Sequence, residues 1–150
     1  MKILVINGPN MNLLGLREPD IYGRQTYDDL VETLQKRADE LGVEISFVQS
    51  NHEGDLVDAI QRAYPDTDGI IINPAAYTHT SVAILDAVKA VGIPTVEVHM
   101  SDVKSRDAFR QVSYIRQACI ATVMGKGFGS YIEALELLCQ NQKLEIRNQK

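Results

Sequence analysis

Two pairs of side chains in this sequence could move protons. Glu97 and His99 stand two residues apart in the run Pro94-Thr95-Val96-Glu97-Val98-His99. On a strand, residues i and i+2 face the same way, so the carboxylate can lie beside the imidazole, fix its tautomer and raise its basicity. A general acid or base is oriented in this way. A surface Glu at a strand end is the plainer alternative. Arg17 and Tyr22 form the second pair. They lie in the segment 7–23, which leaves the apolar run Ile3-Leu4-Val5-Ile6 and also carries Asn7, Asn10, Asn12, Pro9 and Pro19. A plain strand-to-helix connector takes about two to six residues, and long ordered loops are usually lids or binding loops. Here a cation and a phenol sit on such a loop; the alternative leaves both in solvent.

Further polar residues follow other apolar runs. Asn73, Thr78, His79, Thr80 and Ser81 follow Gly69-Ile70-Ile71-Ile72, and Ser101 and Asp102 follow His99. Arg106 and Arg110 are four apart, so in a helix they would share a face. One is a candidate anion or hydroxyl binder, with solvated charge as the alternative. No His-x-x-x-His pair or carboxylate spacing indicates a metal. Gly-x-Gly-x-x-Gly and the P-loop pattern are missing, which removes the usual support for dinucleotide or nucleoside triphosphate binding. Asn51, in Asn51-His52-Glu53-Gly54-Asp55, is expected to cap a helix.

The elements that must position these residues alternate. Strands are predicted at 2–7, 43–49, 69–73, 94–99 and 118–124. The third is apolar without alternation, as for a strand covered on both faces. A first helix carries Tyr27, Leu30, Val31, Leu34, Ala38 and Leu41 at helical spacing, with Thr26 as its cap and Gly42 as its stop. Leu56, Ile60 and Ala63 mark a second before Pro65; residues 81–91 form a third and 128–140 a fourth. The polar tail after Cys139 is expected to fray. Alternating strands and helices imply α/β architecture: a five-stranded, doubly wound parallel sheet fitting the flavodoxin-like order 2-1-3-4-5. Ligands in such sheets bind beyond the carboxyl ends of the strands where the order reverses. That places Asn10, Asn73, His79 and His99 around one crevice. The third helix leaves only Asp86 and Lys89 polar. A helix apolar nearly all round needs cover on more than one side, which points to another subunit.

Composition narrows the partners. A chain of 150 residues is one domain, spanning 1–150, and buries roughly 70% of its unfolded surface at this size. The net charge of −5 argues against a nucleic-acid binder but leaves room for a small anionic substrate at a local Arg and His cluster. Cys119 and Cys139 are too few for a disulfide framework and read as buried free thiols. The N-terminus enters a strand at once and no apolar run approaches ~18 residues. The expectation is a cytoplasmic protein with no signal peptide and no membrane span.

Several motifs together resemble one family. Ile6-Asn7-Gly8-Pro9-Asn10, Leu14-Gly15, Arg17-Glu18-Pro19 and Tyr22-Gly23 are similar to the opening of type II 3-dehydroquinate dehydratase. Gln49-Ser50-Asn51-His52-Glu53-Gly54, Ile72-Asn73-Pro74-Ala75-Ala76-Tyr77-Thr78-His79-Thr80-Ser81, Glu97-Val98-His99, Phe109-Arg110 and Ser113-Tyr114 continue the match in register to about 139. The resemblance implies a flavodoxin-like fold and cofactor-free dehydration of 3-dehydroquinate to 3-dehydroshikimate. It implies Tyr22 as the base, assisted by Arg17, and Asn10 as holding the enolate through water. It implies His99 as the acid that protonates the departing hydroxyl. Substrate contacts are implied at Asn73, His79, Asp86, the Met100-Ser101 pair and Arg110. Asp86 would come from a neighbouring subunit, in trimers that assemble into a dodecamer.

Three departures stand out. Met100 replaces a more usual Leu or Ile, which a backbone N–H contact would tolerate. Gln111-Val112 replaces a pair that is often basic, lowering the charge near Arg110. Gly125-Lys126-Gly127 is less typical and has no functional reading. A Schiff-base route would need a desolvated Lys at the strand ends. None is there; Lys104 lies beyond the motif. The competing class is a module binding a small phosphate at helix N-termini through Thr78-His79-Thr80-Ser81. It leaves Arg17, Tyr22 and Glu97/His99 without a role.

Overall fold

The computed structural model describes residues 1–16, 20 and 24–149. Strands β1 (Lys2–Asn7), β2 (Glu44–Gln49), β3 (Gly69–Asn73), β4 (Thr95–His99) and β5 (Ala121–Met124) form one sheet in the order β2-β1-β3-β4-β5. Every pairing is parallel. The predicted order therefore holds. Helices α1 (Tyr27–Leu41), α2 (Glu53–Ala63), α3 (Val82–Val91) and α4 (Phe128–Asn148) cover the two faces.

The period of two in β1 divides the core. Ile3 and Val5 pack with Ile71, Val96, Val98 and Val123 under Leu30 and Leu34 of α1 and Tyr131, Leu135 and Leu138 of α4. Leu4 and Ile6 turn the other way, with Ile70 and Ile72, under Leu56 and Ile60 of α2 and Ile84 and Val88 of α3. A sheet covered on both faces needs such continuous apolar strands. Thr26 caps α1 as expected: its hydroxyl accepts from the Asp29 N–H at 3.2 Å, and the Asp29 carboxylate accepts from the Thr26 N–H at 2.9 Å. Gly42, at φ 70°, ends the helix in the left-handed conformation.

Several boundaries differ from the expectation. β5 begins at Ala121 because Ile115–Ala118 forms a 3-10 turn, one of three such turns in the β4–β5 connection. Helix α4 runs to Asn148 instead of ending near residue 140. Residues 140–148 contain Gln, Lys, Leu and Glu and no Gly or Pro, so the backbone continues although Leu144 and Ile146 lie exposed. The polarity of this tail marks the end of core packing, not of the helix. Asn51 does not cap α2. His52 holds that position, and the Asn51 side chain instead accepts from the Asn10 N–H at 3.0 Å. Cys119 and Cys139 are free, as expected, but only partly buried.

Helix α3 buries Ile84, Leu85, Ala87 and Val88. Val82, Ala83, Asp86, Lys89 and Ala90 are exposed in the single chain. Among the described residues no helix is long and apolar enough to cross a membrane.

Candidate active site

The site grows from close contact between the exits of β1 and β3. The Gly8 N–H donates to the Asn73 carbonyl at 2.8 Å. A Cβ on Gly8 would stand 2.3 Å from the Pro74 carbonyl oxygen, so no side chain fits there. This approach holds Asn10 beside β3. Asn10 adopts φ 70°, a left-handed conformation that Asn tolerates better than most residues. Asn51 ties down its backbone, and the Tyr77 hydroxyl donates to the Asn51 carbonyl at 2.9 Å. The motif around Asn51 thus joins the loops after β1, β2 and β3.

Asn73 is 5% exposed at the end of β3. Its Oδ1 accepts from the Ala75 N–H at 3.0 Å, holding Ala75 at φ 55°. A left-handed non-glycine residue stores roughly 1–2 kcal/mol of strain, and such strain gathers at functional sites. Asn73 Nδ2 donates to the Tyr131 hydroxyl at 2.9 Å and lies 3.6 Å from the Met11 sulfur. The Tyr131 hydroxyl in turn donates to Asn7 Oδ1. The hydroxyl of a buried Tyr needs partners, and Tyr131 finds both at strand ends across the sheet.

His99 and Glu97 meet as their spacing requires. His99 Nε2 lies 2.5 Å from Glu97 Oε2, and the carboxylate is fully buried. Burial alone would raise the Glu97 pKa. Hydrogen bonds from His99 and Arg116, the His99 charge and the Ser113 hydroxyl outweigh burial and hold it at about 2. An ionised carboxylate only accepts, so Nε2 carries the proton in this contact. The Nδ1 atom is left to the crevice.

The His79 Nδ1 lies 2.7 Å from the Val112 carbonyl, which can only accept. That leaves Nε2 as an acceptor in the neutral ring. Burial lowers the His79 pKa; the Val112 carbonyl opposes this, and the charges of Arg110, His99 and Arg106 add to the lowering. Arg106 does not share a helix with Arg110. It follows the Val103–Ser105 turn, while Arg110 sits in the turn Ala108–Gln111, yet both line the crevice. The Arg110 guanidinium stacks on Phe109 at 5.1 Å and has Asp107 only at 3.9 Å. Its buried Nε has no hydrogen-bond partner among the described residues. A weakly neutralised guanidinium at a cleft wall suits an anion.

Asn10, Asn73, His79, His99, Met100, Ser101 and Arg110 therefore line one crevice at the carboxyl end of the sheet. Asp86 does not join them and lies exposed on α3. Arg17 and Tyr22 fall outside the described residues. Among the described residues no group of three or more His, Cys, Asp or Glu could hold a metal ion.

The family model described as dehydroquinase class II matches residues 1–139. The chain belongs to the class II dehydroquinase family. It is 55% identical over 138 residues to a 3-dehydroquinate dehydratase of Caldicellulosiruptor bescii, covering 91% of this chain and 95% of the relative. It is 49% identical over 138 residues to a 3-dehydroquinate dehydratase of Clostridium acetobutylicum, covering 92% and 96%. The crystal structure of the type II dehydroquinase from Butyrivibrio crossotus superposes with a TM-score of 0.91 at 48% identity, covering 92% of this chain and 97% of that one.

In this class II dehydroquinase the structure also brings in residues that sequence reasoning missed. The Thr122 hydroxyl donates to Glu97 Oε1 at 3.0 Å, because the β4–β5 register sets the two side by side. The Ser113 hydroxyl donates to Oε2 at 2.8 Å, and Arg116 grips both oxygens at 3.0 and 3.1 Å. Two buried ionisable residues at i and i+2 need donors, so a search for Glu97 partners was the available signal. Gly125-Lys126-Gly127 gains a structural account. The Gly127 N–H donates to the Met100 carbonyl at 3.0 Å, and a Cβ on Gly125, which adopts φ 83°, would stand 3.5 Å from the Asp102 Cβ. The turn after β5 thereby anchors the Met100-Ser101 wall.

Proposed function

We propose that this chain removes water from 3-dehydroquinate to give 3-dehydroshikimate through an enolate, with Tyr22 as base and His99 as general acid. The observation that carries the reading is the buried Glu97–His99 pair at a crevice lined by Asn10, Asn73, His79 and Arg110. The substrate has a ketone at C3, acidic protons at C2, and hydroxyl and carboxylate groups at C1. The Tyr22 phenolate takes a C2 proton and negative charge moves to the C3 oxygen. Asn10 holds that oxygen through water, and Arg17 stabilises the phenolate. As the C1–O bond breaks, the proton on His99 Nδ1 passes to the departing oxygen and water leaves. Both proton movers are side chains, so the reaction needs no cofactor. Stabilising the developing charge by hydrogen bonds removes the need for a Lys.

The same crevice suits the other end of the substrate. Asn73 Nδ2 donates to the Tyr131 hydroxyl and to the Met11 sulfur, and the thioether is a weak acceptor that a substrate carboxylate can displace. Backbone N–H groups of Met100 and Ser101 complete the carboxylate site. His79 and Arg110 bind ring hydroxyls or the carboxylate. Asp86 reaches the site of a neighbouring subunit, in trimers that assemble into a dodecamer. Incubating the protein with 3-dehydroquinate should produce the ultraviolet absorbance of a conjugated enone. No absorbance change at micromolar enzyme would overturn the reading.

A further inference from the structure

The Glu97 carboxylate is held by more than its histidine. Among the described residues, four donate to it: His99, Ser113, Arg116 and Thr122. Arg116 differs from the rest. It brings a full charge, comes from the 3-10 turn Ile115–Ala118, and forms a fork with Nε on Oε1 at 3.0 Å and Nη2 on Oε2 at 3.1 Å. Its side chain is 38% exposed while the carboxylate is fully buried. An ordinary surface ion pair does little. This one fixes the plane of a buried carboxylate whose Oε2 also meets the imidazole.

We propose that Arg116 is a positioning residue for dehydration: its guanidinium orients the Glu97 carboxylate toward His99 and its charge sets the pH above which the acid is spent. The proposal rests on the reading of His99 as the general acid. Glu97 Oε2 meets the imidazole, and Arg116 shares the same carboxylate through both of its oxygens. Other groups with a field here face the pair from several elements. Arg106 and Arg110 approach from the segment after β4, and His79 from the turn Ala75–His79. Cys119 lies beside Glu97; burial and then the Glu97 charge push its thiol up to about 12, so it adds no charge near neutral pH. Among the described residues, Arg116 is the arginine or lysine in direct contact with the carboxylate.

The test compares Arg116→Met and Arg116→Lys with the wild-type enzyme by steady-state kinetics across pH. His99→Gln serves as control and thermal melts report folding. In Arg116→Met, kcat should fall about ten-fold, less than the ~100-fold expected for losing the acid. KM should stay within about two-fold, since no substrate contact is removed. The alkaline limb of the kcat/KM profile should move up by about half a unit or more, because a nearby positive charge is gone. Arg116→Lys keeps the charge and loses the fork, so its limb should stay near wild type while kcat falls. Guanidinium added at millimolar concentration should restore part of the kcat of Arg116→Met through the exposed side of the site. Wild-type kcat and limb in Arg116→Met would overturn the proposal, as would equal losses in both variants with an unmoved limb. If His99→Gln turns over normally, the acid assignment fails and this proposal fails with it. If His99→Gln is inactive and Arg116→Met is not, only the Arg116 role is lost.

Discussion

His99 Nε2 sits 2.5 Å from Glu97 Oε2, and that carboxylate has no exposed surface. The contact fixes which ring nitrogen is left to face the crevice. His99→Ala should lower kcat by about 100-fold or more while KM changes little, because proton donation matters in the transition state. Glu97→Gln should damage turnover as well, since the amide can present a donor to Nε2 and invert the tautomer. Steady-state kinetics on both variants checks this. A few-fold loss in His99→Ala would mean that another group supplies the proton.

Acid should loosen the fold through Glu97. Its pKa is about 2 in the fold against a usual 4.5. The unfolded chain therefore takes up this proton more readily than the folded one. The contribution of the group to stability is complete above about 4.5 and is lost as pH falls toward about 2. Urea denaturation at several pH values should show wild-type stability falling across that window more steeply than that of Glu97→Gln. Parallel curves would show that the network does not depend on the charge.

Tyr131 ties two strand ends together from the far side of the sheet. Its hydroxyl accepts from Asn73 and donates to Asn7, and all three residues are buried. Tyr131→Phe keeps the ring but leaves those amides short of a partner. The expected loss is about 1–3 kcal/mol of stability. KM should rise as well, because the Asn73 amide is no longer oriented. Denaturation and substrate saturation curves measure the two effects; unchanged values in both would make the network incidental.

The sequence was legible where the signal was local. The unbroken apolar run of β3, the Thr26 and Gly42 boundaries of α1 and the Glu97–His99 geometry all rest on neighbours along the chain. Proximity set by the sheet was harder to read. Arg116 reaches Glu97 across 19 residues and Tyr131 reaches Asn7 across 124, and neither spacing has a period. The crevice itself was readable because strand order places loop residues at the switch point whatever their spacing. Two misreadings came from single residue types. Asn51 resembles a cap, yet the Asn10 backbone claimed its side chain. The polar end of α4 reads as frayed because polarity reports the end of burial and not the end of helix propensity.

Asp86 tests the subunit boundary. It is exposed on α3 and away from the crevice of its own chain, so Asp86→Ala should leave folding within about 0.5 kcal/mol of wild type. Turnover should nevertheless fall. Mixing Asp86→Ala with Tyr22→Phe subunits, after dissociation and reassembly, should restore part of the activity, because some sites then take both native residues from different chains. Sedimentation should place that activity in an oligomer. A fully active monomer, or no recovery in the mixture, would separate Asp86 from the site.

In the proposed reaction Tyr22 and Arg17 carry the first proton transfer. A free phenol has a pKa near ~10, so about 0.1% is ionised at pH 7, too little for an efficient base. A guanidinium within about 4–6 Å lowers a pKa by roughly one to three units. Four residues separate the two and Pro19 is one of them, which restricts the ways the chain can turn. Excluding water around the pair would strengthen its interaction further. Tyr22→Phe removes the hydroxyl and keeps the ring, so the protein should fold while kcat collapses by about 100-fold or more. Arg17→Lys keeps a charge but loses the planar fork, and the acidic limb of its kcat/KM profile should move to higher pH as the phenol becomes harder to ionise. Rapid exchange of the C2 proton with deuterated solvent should also vanish in Tyr22→Phe and persist in His99→Ala, since the proposed reaction assigns that abstraction to Tyr22 and not to His99. Near wild-type turnover in Tyr22→Phe would assign the base to another group.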